Sequence, residues 1–424
     1  IPPQQPKIHV KLMNIIFRLT ILLVAGSFAG IFLGPKGIIP RYWFWLGHQG
    51  WEYVELGKLW QIMLAAVFII WAITLYRGVK PVMKLKQPWA LPNWLIYASF
   101  SIIHLLISGF IATPKTNFVI ADFWRWMVVH MWAEAFFEVF TTVLIGYFMV
   151  LMGLVSRQAA IRVIYLATLL FLGSGLLGIS HNFYWNAKPV GTMALGSVFS
   201  TLQVVPLVLL TLEAWRFRKL PQVLENRGAI SKDMSNRFGF PGVFLFLVGV
   251  NFWNFFGAGV LGFIINLPIA NYYEHGTYLT VNHGHAALMG VYGNLAIAAV
   301  LFCCQLLFKA EYWKPRLIKT IFWSINAGLL LMVFLDLFPV GIWQFKTVTE
   351  QGLWYARSSS FIESTGFQTF TWLRIIGGAL FTLGGVIPLL WFITSRRRGL
   401  KKADPEAPGF FLNEKKASVS VPQL

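Results

Sequence analysis

The strongest constraint on this chain is a series of ten apolar runs, each long enough to cross a lipid bilayer. A helix rises about 1.5 Å per residue, so a hydrocarbon core of about 30 Å needs about 20 apolar residues per crossing. The runs lie near residues 12–33, 59–77, 91–113, 122–155, 159–185, 190–216, 238–266, 278–308, 318–343 and 368–394. Most are apolar around the whole helix, as spans enclosed by lipid and by other spans should be. Composition agrees with this. The chain is 57% hydrophobic and 17% aromatic, and only 12% charged. A soluble domain carries about twice that charge. The expected fold is an all-α, polytopic membrane bundle with about ten transmembrane helices and no water-soluble domain.

The net charge of +19 could suggest a nucleic-acid partner. The position of the charges argues against one. Lys and Arg cluster in 77–86, 157–162, 216–237, 309–319 and 396–402, which follow every second span. The intervening segments 34–58, 114–121, 267–280 and 344–367 are poorer in Lys and Arg, and most are aromatic and carry acidic residues. This alternation is the positive-inside pattern, so the first set faces the cytoplasm and the partner is membrane lipid. Residues 1–11 then read as a cytoplasmic N-terminal segment, 12–394 as the transmembrane domain, and 395–424 as a basic cytoplasmic tail of disordered composition. The first residue is Ile and no signal peptide precedes the first span, so the sequence reads as a piece of a longer or processed chain. The only cysteines, Cys303 and Cys304, are adjacent in an apolar run and read as small buried residues.

Orientation places four histidines at one depth. His130 lies eight residues below Asp122 on a span entering from the outer side, and His181 lies four residues before Trp185 on a span leaving there. His283 and His285 occupy the first turns of another span that enters from the outer side. All four fall in the outer third of the bilayer, which a common metal site explains. Ionisable groups inside a span are costly and usually functional. His283 and His285 project about 200° apart on a helix, so they suit two separate metals, such as two iron porphyrins on opposite sides. The plainer alternative is a pair of polar packing histidines.

His130, Glu134 and Glu138 are spaced i, i+4, i+8 and share one helical stripe. A histidine and a carboxylate one turn apart suit a non-haem iron, with the second carboxylate as support or proton relay. A buried hydrogen-bonded cluster would give the same stripe. His181 and Asn182 add an imidazole and an amide at matching depth. His104 reads as a packing histidine. Asp336 either lines a polar path or is a carboxylate hydrogen-bonded within the bundle. The outer segment Gly47–Tyr53 carries His48 and Glu52, which could join the site from above or form an outer cap.

Together these residues resemble the catalytic subunit of respiratory nitric oxide reductases, the quinol-dependent branch of the haem–copper oxidase superfamily. The resemblance runs from about residue 12 to residue 394. It rests on Gly47-His48-Gln49-Gly50-Trp51-Glu52-Tyr53, Trp124-Arg125-Trp126, the stretch His181–Trp185, Asn282-His283-Gly284-His285-Ala286-Ala287 and Trp354-Tyr355-Ala356-Arg357-Ser358. It implies a haem–copper oxidase subunit I-like bundle in a bacterial cytoplasmic membrane, with residues 12–394 as the catalytic domain and the site toward the periplasm. It implies His283 as the axial ligand of the high-spin haem b3 and His285 as one axial ligand of the low-spin haem b. His130, His181 and Glu134 would bind the non-haem iron FeB, with Glu138 as supporting carboxylate. Glu52 resembles a residue near the haem propionates, where related enzymes hold calcium. The resemblance also implies core helices N-terminal to this sequence, one of them carrying the second axial ligand of the low-spin haem.

Three departures from the family pattern bear on the reaction. Asn182 stands where the reductases carry a second adjacent histidine. Ser200-Thr201-Leu202-Gln203 stands for a pattern ending in Glu, so a carboxylate near the site has become an amide. Leu373-Arg374-Ile375-Ile376-Gly377-Gly378 stands for a pattern ending in an Asp that the family associates with quinol binding, and Gly378 cannot replace it. Reduction of two NO to N2O and water consumes two electrons and two protons. Dismutation of two NO to N2 and O2 needs neither from outside. The departures therefore resemble the nitric oxide dismutases, with quinol-dependent reduction as the alternative. A transporter or channel with a polar path is the reading from another class.

Overall fold

The computed structural model describes residues 6–33, 42–47, 56–83, 86–113, 115–126, 128, 137–152, 157–178, 181, 189–202, 205, 212, 240–395 and 399. Among them the ordered elements are helices, with no strand. The helices are α1 (Pro6–Leu33), α2 (Trp43–Leu46), α3 (Lys58–Val79), α4 (Leu91–Leu106), α5 (Phe118–Trp126), α6 (Phe137–Leu151), α7 (Arg157–Gly178) and α8 (Val190–Thr201). There follow α9 (Pro241–Ile265), α10 (Pro268–Glu274), α11 (Tyr278–Leu307), α12 (Pro315–Gln351), α13 (Ser359–Ile362) and α14 (Thr365–Ser395). Among the described residues, six stretches are long and apolar enough to cross a membrane, namely Val10–Gly30, Lys58–Val82, α9, α11, α12 and α14. Each of the ten expected runs overlaps at least one of the fourteen helices, and six of the runs overlap these six stretches.

The chain divides into two compact units, one within residues 1–144 and one within 145–401. In the first, α1 packs on α3 through small residues. A Cβ at Gly26 would fall 2.2 Å from the Trp60 ring, so only glycine admits the indole there. Trp60 Nε1 then donates to the Leu46 carbonyl at 2.8 Å. The buried Lys58 ammonium donates to the Gly109 carbonyl at 2.6 Å and to Gln61 Oε1 at 3.3 Å.

The second unit is built on a buried amide cluster. Asn294 on α11 and Asn326 on α12 exchange hydrogen bonds at 3.0 and 3.1 Å, and Trp253 Nε1 on α9 donates to Asn326 Oδ1 at 2.8 Å. Asn294 also donates to Gly290 O at 2.7 Å and Asn326 to Phe322 O at 2.8 Å. An unpaired amide costs several kcal/mol in an apolar surround, so this pairing fixes α9, α11 and α12 in one register.

Each of α9, α11, α12 and α14 carries a π-helical turn, at Asn254–Val260, Leu288–Gly293, Val333–Leu337 and Leu380–Val386. A π turn inserts one extra residue and rotates the side chains beyond it, and such turns recur at functional sites. Close helix approach surrounds them. A Cβ at Gly257 would meet Ala286 at 2.7 Å, and one at Gly290 would meet the Trp253 ring at 2.4 Å. Prolines occupy the first turns of α9, α10 and α12, where their missing N–H is no loss.

Two segments between the expected spans differ from the sequence expectation. The 267–280 segment contains the helix α10, and α12 runs on to Gln351 instead of ending near 343. Gln344 explains the extension. It is buried, its Oε1 accepts from Tyr278 N at 2.8 Å, and its Nε2 donates to Ala356 O at 3.1 Å. A polar residue that reads as loop is here fully bonded inside a helix. Gly352, with φ of 89°, then stops the helix in the left-handed region.

Gly377 and Gly378 provide a paired test. A Cβ at Gly377 would lie 2.5 Å from Gly328 O, whereas one at Gly378 meets nothing within 4 Å. Gly377→Ala should lower stability by about 1–3 kcal/mol through overpacking, and Gly378→Ala should be neutral or gain up to about 1 kcal/mol. Thermal unfolding of the detergent-solubilised variants checks this order, and equal effects would contradict the α12–α14 packing.

Candidate functional site

The site is assembled around the first two turns of α11. Thr277 opens this helix, its hydroxyl accepting from Leu279 N at 3.2 Å. Six residues on, His283 is half-buried, and its Nδ1 lies 2.9 Å from Gly257 O. A carbonyl can only accept, so Nδ1 carries the proton and Nε2 the lone pair. This is the tautomer a metal-binding imidazole needs, and a backbone carbonyl is a usual partner for its other nitrogen.

The opposite wall of the ring is Gly262, where a Cβ would come within 3.1 Å of His283 Cε1. The π turn Asn254–Val260 includes Gly257, and the Gly257 carbonyl and Gly262 both lie against the same imidazole. His285 projects about 200° from His283, and its Nδ1 donates to Val281 O at 3.0 Å, which again leaves the lone pair on Nε2. The two imidazoles are thus set in matching tautomers on opposite sides of one helix. The donor chemistry fits axial ligation of two haem irons.

His181 is buried, 6% exposed. Glu138 is half-buried in the first turn of α6. His130, Glu134, Asn182, Gln203 and Glu52 lie outside the described residues, as does His48. Among the described residues no group of three or more His, Cys, Asp or Glu could hold a metal. Asp336 is fully buried, and its Oδ2 accepts from Arg374 Nε, so of its two sequence readings the bonded carboxylate is the one observed. Cys303 and Cys304 are free thiols, the first exposed and the second buried.

Sequence reasoning did not single out Gly257, Gly262 or Gln344. Repeated glycine within a span is the usual mark of close backbone approach, and Gly257, Gly259 and Gly262 follow it. Nor did it pair Asp336 with Arg374, although two opposite charges inside apolar runs are natural partners.

A tight turn precedes α11. Gly276 has φ of 70°, and a Cβ there would fall 2.0 Å from Arg357 Nη2, which donates to His275 O at 2.8 Å. Glu274 is 1% exposed, and its Oε2 accepts from the Thr280 hydroxyl at 3.0 Å. Burial pushes the Glu274 carboxyl from 4.5 up to about 8, while the Thr280 bond pulls it back.

Comparison with known proteins gives a consistent family. The family described as cytochrome c and quinol oxidase polypeptide I matches residues 3–380. The chain is 28% identical over 283 residues to a nitric oxide reductase subunit of Stutzerimonas stutzeri, covering 65% of this chain and 56% of that protein. It is 23% identical over 365 residues to cytochrome c oxidase subunit 1 of Rhodobacter capsulatus, covering 80% of this chain and 63% of that protein. The chain therefore spans less than two thirds of the length of either relative.

The Glu274 carboxyl gives a pH prediction. Its folded pKa lies above its unfolded one, so its contribution is fully present below about 4.5 and is lost as pH rises through about 8. Glu274→Gln should remove this loss, so the thermal midpoint of the wild type should fall more steeply than that of the variant between those limits. Parallel slopes would contradict a buried, neutral carboxyl.

Proposed function

Because the chain belongs to the cytochrome c and quinol oxidase polypeptide I family, we propose that it is the catalytic part of a membrane oxidoreductase that converts nitric oxide at paired haem and non-haem iron. The carrying observation is the His283–Gly257 bond with His285 two residues on, which sets two lone pairs on opposite sides of α11. The relative named as a nitric oxide reductase subunit supports nitric oxide as the substrate. The proposed location is a bacterial cytoplasmic membrane, with the site toward the outer side.

His283 would hold haem b3 and His285 haem b. The resemblance assigns FeB to His130, Glu134 and His181, with Glu138 supporting. When bound, these irons supply the redox and Lewis-acid chemistry for activating nitric oxide. The residues do the rest. Gly257 O fixes the tautomer and rotation of His283, and Gly262 leaves room for its ring. The apolar spans exclude bulk water, and Glu134 and Glu138 are the carboxylates that could hold or pass a proton.

The finer reading is dismutation to N2 and O2. Asn182, Gln203 and Gly378 each replace a group that the reductases use for ligation or for delivering electrons and protons. Gly378 faces open space, so packing does not demand glycine there, and the missing carboxylate is a chemical difference. Quinol-dependent reduction to N2O is the second reading, favoured by the name of the reductase relative.

Isotopically labelled NO fed anaerobically to membranes containing the protein separates the two by mass spectrometry. Dismutation gives labelled O2 and N2 without added quinol, abolished by His283→Ala. N2O formed only with added quinol would establish reduction. Absence of any haem absorbance would overturn both readings in favour of a transporter or channel.

A further inference from the structure

A buried carboxylate and a guanidinium are paired between two of the membrane-spanning helices of the second unit. Asp336, on the π turn of α12, is fully buried, and Arg374 on α14 is 33% exposed. Arg374 Nε donates to Asp336 Oδ2, while Asp336 Oδ1 and Arg374 Nη2 are buried without a partner. The pair is therefore joined at one edge, and each charge keeps an unused polar atom. A buried ion pair is weak evidence for stability, because desolvation consumes most of its attraction. Charges placed at such cost in a membrane interior are usually functional.

The geometry says what the pair faces. The Arg374 guanidinium lies 5.6 Å from the Tyr278 ring centroid. Tyr278 and His285 are seven residues apart on α11, so they point within about 20° of one another. Arg374 thus packs on the side of α11 on which His285 also lies, two turns along, and His283 projects to the other side. The π turn Val333–Leu337 packs directly against the first turns of α11 and carries Asp336 there. Both charges therefore lie on elements packed against the stretch of α11 that carries His285. In a low-dielectric interior the fields of such charges are weakly screened.

We propose that the Asp336–Arg374 pair is a positioning element for His285, setting the electrostatic field at the low-spin iron that this histidine holds. The proposal rests on the assignment of His285 made above. The two charges act through the imidazole and its surroundings and touch no substrate. Their balance fixes the redox midpoint of the low-spin haem relative to the high-spin one.

The test is a redox titration of the purified, full-length holoenzyme, followed by the separate visible bands of the two haems. Asp336→Asn leaves Arg374 uncompensated and should raise the low-spin midpoint. Arg374→Gln leaves the carboxylate and should lower it. In each case the high-spin midpoint should move less, because His283 faces away. Asp336→Glu keeps the charge and should keep the wild-type midpoint. Either neutralising variant decides the matter if the other fails to assemble. An unchanged low-spin midpoint in a variant that retains both haems would overturn the proposal, as would equal shifts of the two haems. The underlying assignment is checked apart from this by His285→Ala. If that variant keeps the low-spin spectrum, the assignment of His285 fails, whatever the pair does.

Discussion

A polar atom buried in an apolar span has no water to bond, and one amide cluster in the second unit meets that constraint. Asn294, Asn326 and Trp253 satisfy one another and tie α9, α11 and α12 together. With the helices held at that point, Gly257 O on α9 falls within hydrogen-bond distance of His283 Nδ1 on α11. Gln344 does the same work near the first turn of α11, bonding Tyr278 N there and Ala356 O beyond α12. The histidines thus stand between two satisfied polar anchors, and their orientation follows from the register those anchors impose.

Close backbone approach is the second requirement. Gly257 takes Ala286, Gly290 takes Trp253, and Gly328 meets Gly377, each at separations a side chain would forbid. The four π turns serve the same end, since each adds a residue that re-aims the side chains around it. Around His283 one such turn includes Gly257, which lies with Gly262 against one ring. Around His285 another brings Asp336 to the adjoining face. Function is carried by local departures from regular helix within otherwise ordinary spans.

Much of this was legible in the sequence. Long apolar runs gave the spans, because burial in lipid demands them, and His283 and His285 stood out because charge-bearing groups are costly there. What stayed hidden depended on contacts between distant segments. Periodicity cannot show that Gln344 is bonded within a helix, so the end of α12 was set too early. It cannot show that a π turn includes Gly257, or that Asp336 reaches Arg374 across 38 positions. The proposed iron ligands His130 and Glu134 lie outside the described residues and rest on spacing and family resemblance.

The central claim is that one helix holds two irons through His283 and His285. Magnetic and optical spectra of the natural-length protein, with haem content per chain, test it most directly. The account predicts that His285→Ala removes only the low-spin haem and His283→Ala only the high-spin one. Loss of the same haem in both variants, or of neither, would contradict it.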